Sequence, residues 1–245
     1  AIVNSCDVYF YNIGHRLGID AIAETARWFG LGQPTGIDLP SERIGTVPST
    51  EWKQRVRKEP WYAGETISVA IGQGYVTVTP LQMAVATAAA ANGGTLYKPR
   101  LVRAVRERAT SRLREIPPQD RGTVPLQDRT FALLHEALHG VVTRGTGGRA
   151  RSKIVEIAGK TGTAQTVGAR PVQTGTNHEA VPKQFRDHAW FVAYAPADAP
   201  RIAVAVIVEN IGHGGTFAAP IAKALIEEYL KVSDTDDRHQ NTGQF

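Results

Sequence analysis

The last third of the chain constrains the fold most. Segments 154–167, 189–195 and 202–209 read as strands, the final one nearly continuously apolar, with no helical pattern between them. Parallel neighbours need a crossover of a dozen or more residues, usually a helix. Consecutive strands without one favour an antiparallel meander. A helix over about 218–230 follows and is expected to pack on one face of that sheet. The connection 168–187 is polar and about 20 residues long, a length expected of a mobile or functional loop. Segment 232–245 is polar, contains Asp234, Asp236 and Asp237, and is expected to be a disordered tail.

The front of the chain reads as mainly helical. Val3, Phe10, Ile13 and Leu17 recur at helical spacing. Gly18 breaks that pattern, and Asp20 can cap a second helix running to Trp28 or Phe29 and closed by Gly30. Residues 32–60 are rich in proline and glycine and read as loop with short turns. The clearest helix start is Thr79-Pro80-Leu81-Gln82, where Thr79 and Gln82 can form a reciprocal capping box and Pro80 suits the first helical position. An alanine-rich run follows and stops at Asn92-Gly93-Gly94. Residues 95–105 look extended, 111–125 look like loop, and 128–142 form an amphipathic helix with Phe131, Leu134, Leu138, Val141 and Val142 on its apolar stripe. The expected class is α+β: an antiparallel sheet with a C-terminal helix, packed against a mainly helical region, over residues 1–231.

The bulk numbers fit a globular chain. With 245 residues and 42% hydrophobic content a core is available, and 21% charged residues argue against wholesale disorder. No apolar run approaches the roughly 18 residues that span a bilayer. Polar residues follow Ala1-Ile2-Val3 at once, so no signal-peptide core is present. The net charge is +5, with basic clusters at Lys53, Arg55, Arg57 and Lys58 and from Lys98 to Arg114. Neither carries a helix-turn-helix, zinc-finger or base-stacking signature, so both read as solvated faces and no nucleic-acid partner is expected. Cys6 is the only cysteine, which excludes a disulfide within the chain.

Three chemistries compete for the remaining motifs. Gly159-Lys160-Thr161 fails as a phosphate loop, because the required earlier glycine falls at Ile154 and a strand rather than a helix follows. His135-Glu136-Ala137-Leu138-His139 matches a zinc-hydrolase motif on a helix, with Glu136 as general base and Glu156 the nearest further acid. The rival reading places both histidines beside the apolar stripe of an ordinary helix. Lys160-Thr161-Gly162-Thr163 suits acyl transfer. A lysine ammonium supports proton transfer beside a nucleophile, Gly162 permits close approach to the strand, threonine hydroxyls can hold a carboxylate, and the Thr163 amide can serve an oxyanion.

In serine acyl-transferases the lysine-threonine-glycine element works with S-x-x-K and an S-x-N type element. No serine of this chain has a lysine three residues on, while Ser5-Cys6-Asp7 can supply the middle element. The economical expectation is a partial domain whose nucleophile lies upstream of Ala1. Ser5-Cys6-Asp7-Val8-Tyr9-Phe10-Tyr11, Thr35-Gly36-Ile37-Asp38-Leu39-Pro40, Glu51-Trp52-Lys53 and Pro60-Trp61-Tyr62 precede Ile71-Gly72-Gln73-Gly74-Tyr75. Thr79-Pro80-Leu81-Gln82-Met83, Lys160-Thr161-Gly162-Thr163-Ala164-Gln165 and Val208-Glu209-Asn210 follow in order. This ordered set, over about residues 1–231, resembles class B penicillin-binding proteins, specifically the penicillin-binding protein 2 type of the rod-elongation machinery.

The resemblance implies an α/β sandwich of the penicillin-binding/serine β-lactamase type and a peptidoglycan D,D-transpeptidase inhibited by β-lactams. It implies stem peptides as substrates, a membrane glycosyltransferase as partner, and attachment to the periplasmic face of the inner membrane through an upstream anchor. By the same comparison Ser5, Asp7 and Lys160 are catalytic and Thr161, Gly162 and Thr163 bind substrate. Asp7 stands where much of the superfamily has asparagine; the elongation-type group is similar in using aspartate. An ionised carboxylate cannot donate the amide's hydrogen bond, though it can pair with a lysine. Acyl transfer requires no cofactor. Cys6 is a candidate ligand of a structural zinc completed by upstream Asp and His residues, against the commoner reading of a small buried side chain. A non-catalytic wall-binding module is the remaining alternative.

Overall fold

The computed structural model describes residues 1–166 and 182–241, with side chains to residue 231. The helical front begins with α1 (Asp7–Leu17) and α2 (Ile19–Trp28), separated by Gly18. Asp20 does not cap α2, whose N-cap is Gly18 with no side-chain bond. Its carboxylate instead accepts from the Thr50 amide at 2.9 Å and the Thr50 hydroxyl at 2.8 Å. Those groups open α3 (Thr50–Arg57), a helix within the stretch expected as loop, where Ser49 Oγ also accepts from the Trp52 amide at 3.0 Å. α4 (Ala63–Val69) packs beside α1.

Lys53 of α3 is 1% exposed and donates to both Glu65 oxygens, at 2.6 and 2.7 Å, with the Tyr62 ring 4.3 Å away. α5 (Pro80–Ala91) starts with the expected capping box: Gln82 N donates to Thr79 Oγ1 at 3.1 Å and Thr79 N to Gln82 Oε1 at 2.9 Å. The buried Gln82 amide also donates to Gln33 O at 2.9 Å and Ile44 O at 2.8 Å, which ties the glycine- and proline-rich loop to the helix.

Two small antiparallel ladders follow. β1 (Thr95–Tyr97) pairs with β4 (Asp120–Thr123), and β2 (Ala104–Arg106) pairs with β3 (Leu113–Glu115). The third and fourth strands fall where loop was expected, because these exposed residues lack the alternation that marks a half-buried strand. α6 (Asp128–Arg144) and a 3-10 turn at Gly148–Ala150 lead into the main sheet.

That sheet is the expected antiparallel meander, in the order β5 (Ala158–Ala164), β6 (His188–Ala195), β7 (Ile202–Val208). α7 (Gly214–Asn241) closes it and extends beyond the expected end at Leu230 through positions 232–241. Ala218, Ala219, Ala222 and Ile226 of α7 cover Ala189, Phe191 and Ala193 on one face, all 0% exposed. On the other face Ala158 and Tyr194 meet Ala91 of α5 and Leu138 of α6. Pro220 lies inside α7 and offers no amide to the Thr216 carbonyl, which accepts from Arg149 Nη1 at 3.2 Å instead. Positions 168–181 of the expected loop and 242–245 of the expected tail lie outside the described residues.

Candidate active site

The residues before α1 form a tight turn. Ser5 N donates to Ile2 O at 3.2 Å and Cys6 N to Ala1 O at 3.1 Å. Ser5 adopts φ 48, a left-handed conformation uncommon outside glycine and characteristic of tightly constrained sites. Cys6 then serves as N-cap of α1, accepting from the amides of Tyr9 and Phe10 at 3.1 and 3.3 Å, and Asp7 occupies the first helical position, where its negative charge suits the helix dipole. Thr146 N, at the end of α6, donates to Val3 O at 3.3 Å and holds this turn against the entry to β5.

β5 runs alongside. Lys160 Nζ donates to Ser5 Oγ and to Thr161 O, the latter at 3.0 Å. Burial depresses the Lys160 pKa below the ordinary lysine value, and the Asp7 carboxylate partly offsets it. The turn before α1 and the strand β5, which carry the two motifs read from the sequence, are therefore joined by a side-chain hydrogen bond.

The strand's period of two puts Thr161 and Thr163 on one face and Lys160 and Gly162 on the other. Thr161 Oγ1 lies 2.8 Å from Thr146 Oγ1, so a threonine not singled out in the sequence joins the site. The carbonyls of Thr161 and Thr163 accept from Lys160 and from Gln73 Nε2, the second at 2.6 Å. In an antiparallel pair, successive residues turn their backbone groups alternately toward and away from the partner. Residues 161 and 163 thus direct theirs to the outer edge of β5, away from β6. A Cβ on Gly162 would come within 3.1 Å of Trp190 Cβ, its cross-strand partner, which gives that glycine a packing reason as well.

This edge offers a partly desolvated ammonium on a serine hydroxyl, two threonine hydroxyls and a strand amide. Together they can relay a proton, bind a carboxylate and stabilise a developing oxyanion.

The zinc site read from the sequence on α6 does not assemble, and the Cys6 reading, which calls on ligands preceding residue 1, gains no support among the described residues. Cys6 is exposed, and among the described residues no three His, Cys, Asp or Glu side chains converge on a metal position. His135 Nε2 sits 2.7 Å from the Ala90 carbonyl, and its ring packs 5.5 Å from that of Tyr194. His139 Nε2 lies 3.0 Å from Glu156 Oε2 without hydrogen-bond alignment. The two histidines are thus drawn to separate partners. No helix among the described residues is long and apolar enough to cross a membrane.

Comparison with known proteins identifies the family. The pattern of the penicillin binding protein transpeptidase domain matches residues 1–227, and the chain belongs to that family. Its fold is that of the penicillin-binding and serine β-lactamase proteins. Among particular relatives, the peptidoglycan D,D-transpeptidase MrdA of Acinetobacter baumannii is 45% identical over 94% of this chain and 34% of its own length. MrdA of Haemophilus influenzae is 40% identical over 94% of this chain and 36% of its own. PBP2 of Pseudomonas aeruginosa, solved in complex with WCK 5153, superposes with a TM-score of 0.75 at 36% identity, covering 91% of this chain and 47% of that one. PBP2 of Helicobacter pylori, solved with MreC, gives a TM-score of 0.77 at 29% identity, covering 95% of this chain and 39% of the other. The chain thus spans about a third of the length of the MrdA relatives.

Proposed function

We propose that this chain is the C-terminal portion of the catalytic domain of a penicillin-binding protein 2 type D,D-transpeptidase, acting through a serine acyl-enzyme. The observation that supports it best is the contact of Lys160 with Ser5 at the outer edge of β5. The nucleophile is a serine of an S-x-x-K motif preceding residue 1. Its Oγ attacks the carbonyl of the penultimate D-Ala of a stem peptide, and the bond to the terminal D-Ala breaks as that amine gains a proton. An amine of a neighbouring stem then attacks the ester, forms the cross-link and returns the serine hydroxyl.

In this reading Ser5 relays the proton, and charged Lys160 supports the relay and the anionic substrate. Thr161 and Thr163 hold the donor carboxylate, and the Thr163 amide shares the oxyanion with the amide of the nucleophile. Asp7 acts through Lys160, whose charged form it favours. β-Lactams acylate the same serine. The protein works with a membrane glycosyltransferase at the periplasmic face of the inner membrane, held by an anchor preceding this segment. Surface apolarity fits a continuing domain: Phe217, Ile221, Leu225 and Tyr229 recur every fourth position of α7 and are 37–51% exposed, a face for further domain residues to cover.

The test is fluorescent penicillin labelling of the full-length protein. Labelling that falls sharply in Lys160→Ala and Ser5→Ala supports the reading. A folded full-length protein that binds peptidoglycan fragments but is never acylated is a wall-binding module instead.

A further inference from the structure

We infer that Gln73 is a positioning residue for the oxyanion edge of β5, an inference that rests on the transpeptidase reading above. Its carboxamide bonds the strand at two points: Nε2 donates to Thr163 O at 2.6 Å, and Oε1 accepts from Gln165 N at 3.2 Å. The carbonyl of one residue and the amide two residues on are the pair that a residue of a parallel neighbouring strand engages. A single side chain therefore substitutes for a strand at the outer edge of β5, beyond the reach of the Lys160 contact with Thr161 O.

The surrounding loop is built to hold that amide. Gln73 lies between Gly72 (φ 77) and Gly74 (φ 72), both in the left-handed region where a side chain is strained. Its own amide donates to Ser68 O at 3.0 Å, at the end of α4. Two residues on, the Tyr75 hydroxyl donates to Glu65 Oε1 at 3.1 Å, and the Tyr75 ring lies 5.3 Å from that of Trp52. Glu65 is the partner of buried Lys53. The loop that carries the carboxamide is thus braced by α3 and α4 rather than by the sheet it serves.

The consequence is kinetic. Thr163 contributes its amide and hydroxyl at a strand end that no other described strand supports on that side. Without Gln73 this end loses both edge bonds, and misplacing an oxyanion donor by about 1 Å can slow the chemical step on the order of 100-fold. A shift that small leaves the pre-covalent affinity nearly intact.

The experiment measures β-lactam acylation of the full-length protein, resolving pre-covalent binding from the acylation rate constant. Gln73→Ala is expected to lower the rate constant about 10- to 100-fold with little change in binding. Gln73→Glu supplies a second readout. Ionised, it can accept from Gln165 but cannot donate to Thr163; protonated, it can do both. Its rate relative to wild type is expected to rise as pH falls through the carboxyl range. Wild-type rates in Gln73→Ala, or a pH-independent ratio for Gln73→Glu, overturn the inference while leaving the transpeptidase reading intact. Should Gln73→Ala not fold, the Gln73→Glu profile decides. A wild-type protein that is never acylated removes the parent reading and this inference together.

Discussion

Lys160 Nζ donates to Ser5 Oγ, joining positions 155 residues apart through one hydrogen bond. Ser5 reaches it from a left-handed turn before α1, and Lys160 reaches it from the edge strand of the main sheet. The contact depends on how those two elements dock, which the Thr146 amide secures by bonding the Val3 carbonyl.

The titration of Lys160 follows from its surroundings. Burial lowers its pKa below the ordinary 10.5, and Asp7 works against that shift. The charged form is lost as pH rises through the lowered value, so acylation should decline on the alkaline side earlier than an ordinary lysine would cause. Asp7→Asn removes the opposing charge and should move this decline to lower pH. Lys160→Arg keeps a charge that does not titrate there and should move it upward. Acylation rates against pH for the full-length variants check both; an alkaline limb unmoved by Asp7→Asn would count against the electrostatic influence of Asp7 on Lys160.

The start of α7 is packed against the sheet with no spare room. A Cβ on Gly214 would fall 2.0 Å from Trp190 O and 2.4 Å from Gly162 O. Gly214→Ala must therefore push the helix away from β5 and β6, at a cost of about 1–3 kcal/mol. Denaturant unfolding should show the loss, and penicillin labelling should slow as well, because the displaced carbonyl belongs to the lysine-threonine-glycine run.

Lys53 and Glu65 form the ion pair that joins α3 to α4. Burial alone would lower the Lys53 pKa, but the Glu65 bond and charge outweigh it and the net shift is upward. Burial would raise the Glu65 pKa, yet bonds from Lys53, the Tyr62 amide and Tyr75 bring it below the ordinary 4.5. A carboxylate with a lowered folded pKa contributes stability that is present above its unfolded value and is lost as pH falls through the folded one. Glu65→Gln should flatten that loss in unfolding measurements below about pH 4.5. Lys53→Met should lower Tm more than Glu59→Gln, since Glu59 is 56% exposed and lies 3.6 Å from Lys53.

What could be read from the sequence was what neighbouring residues decide. The capping box of Thr79 and Gln82 spans four positions and formed as expected. The meander was legible because strands so closely spaced admit few topologies. α3 was missed: its eight residues are mostly charged or polar, and the Asp20 that bonds its first turn lies 30 positions away. Asp20 was accordingly assigned to its own helix. At the candidate site, motif order singles out Ser5 and Lys160, and the two side chains are in contact. Thr146 carries no motif, and the bond of Gln73 to Thr163 crosses 90 positions that no local pattern connects.

The most direct measurement is a double-mutant cycle on Ser5 and Lys160 in the full-length protein, read as the second-order rate of acylation by a fluorescent penicillin. Residues that act as one unit give non-additive losses. Ser5→Ala and Lys160→Ala should each slow acylation by about 100-fold or more, and the double variant should be little slower than the worse single one. Losses that multiply would mean that the two residues act independently, and the contact between them would not be the working element of the site.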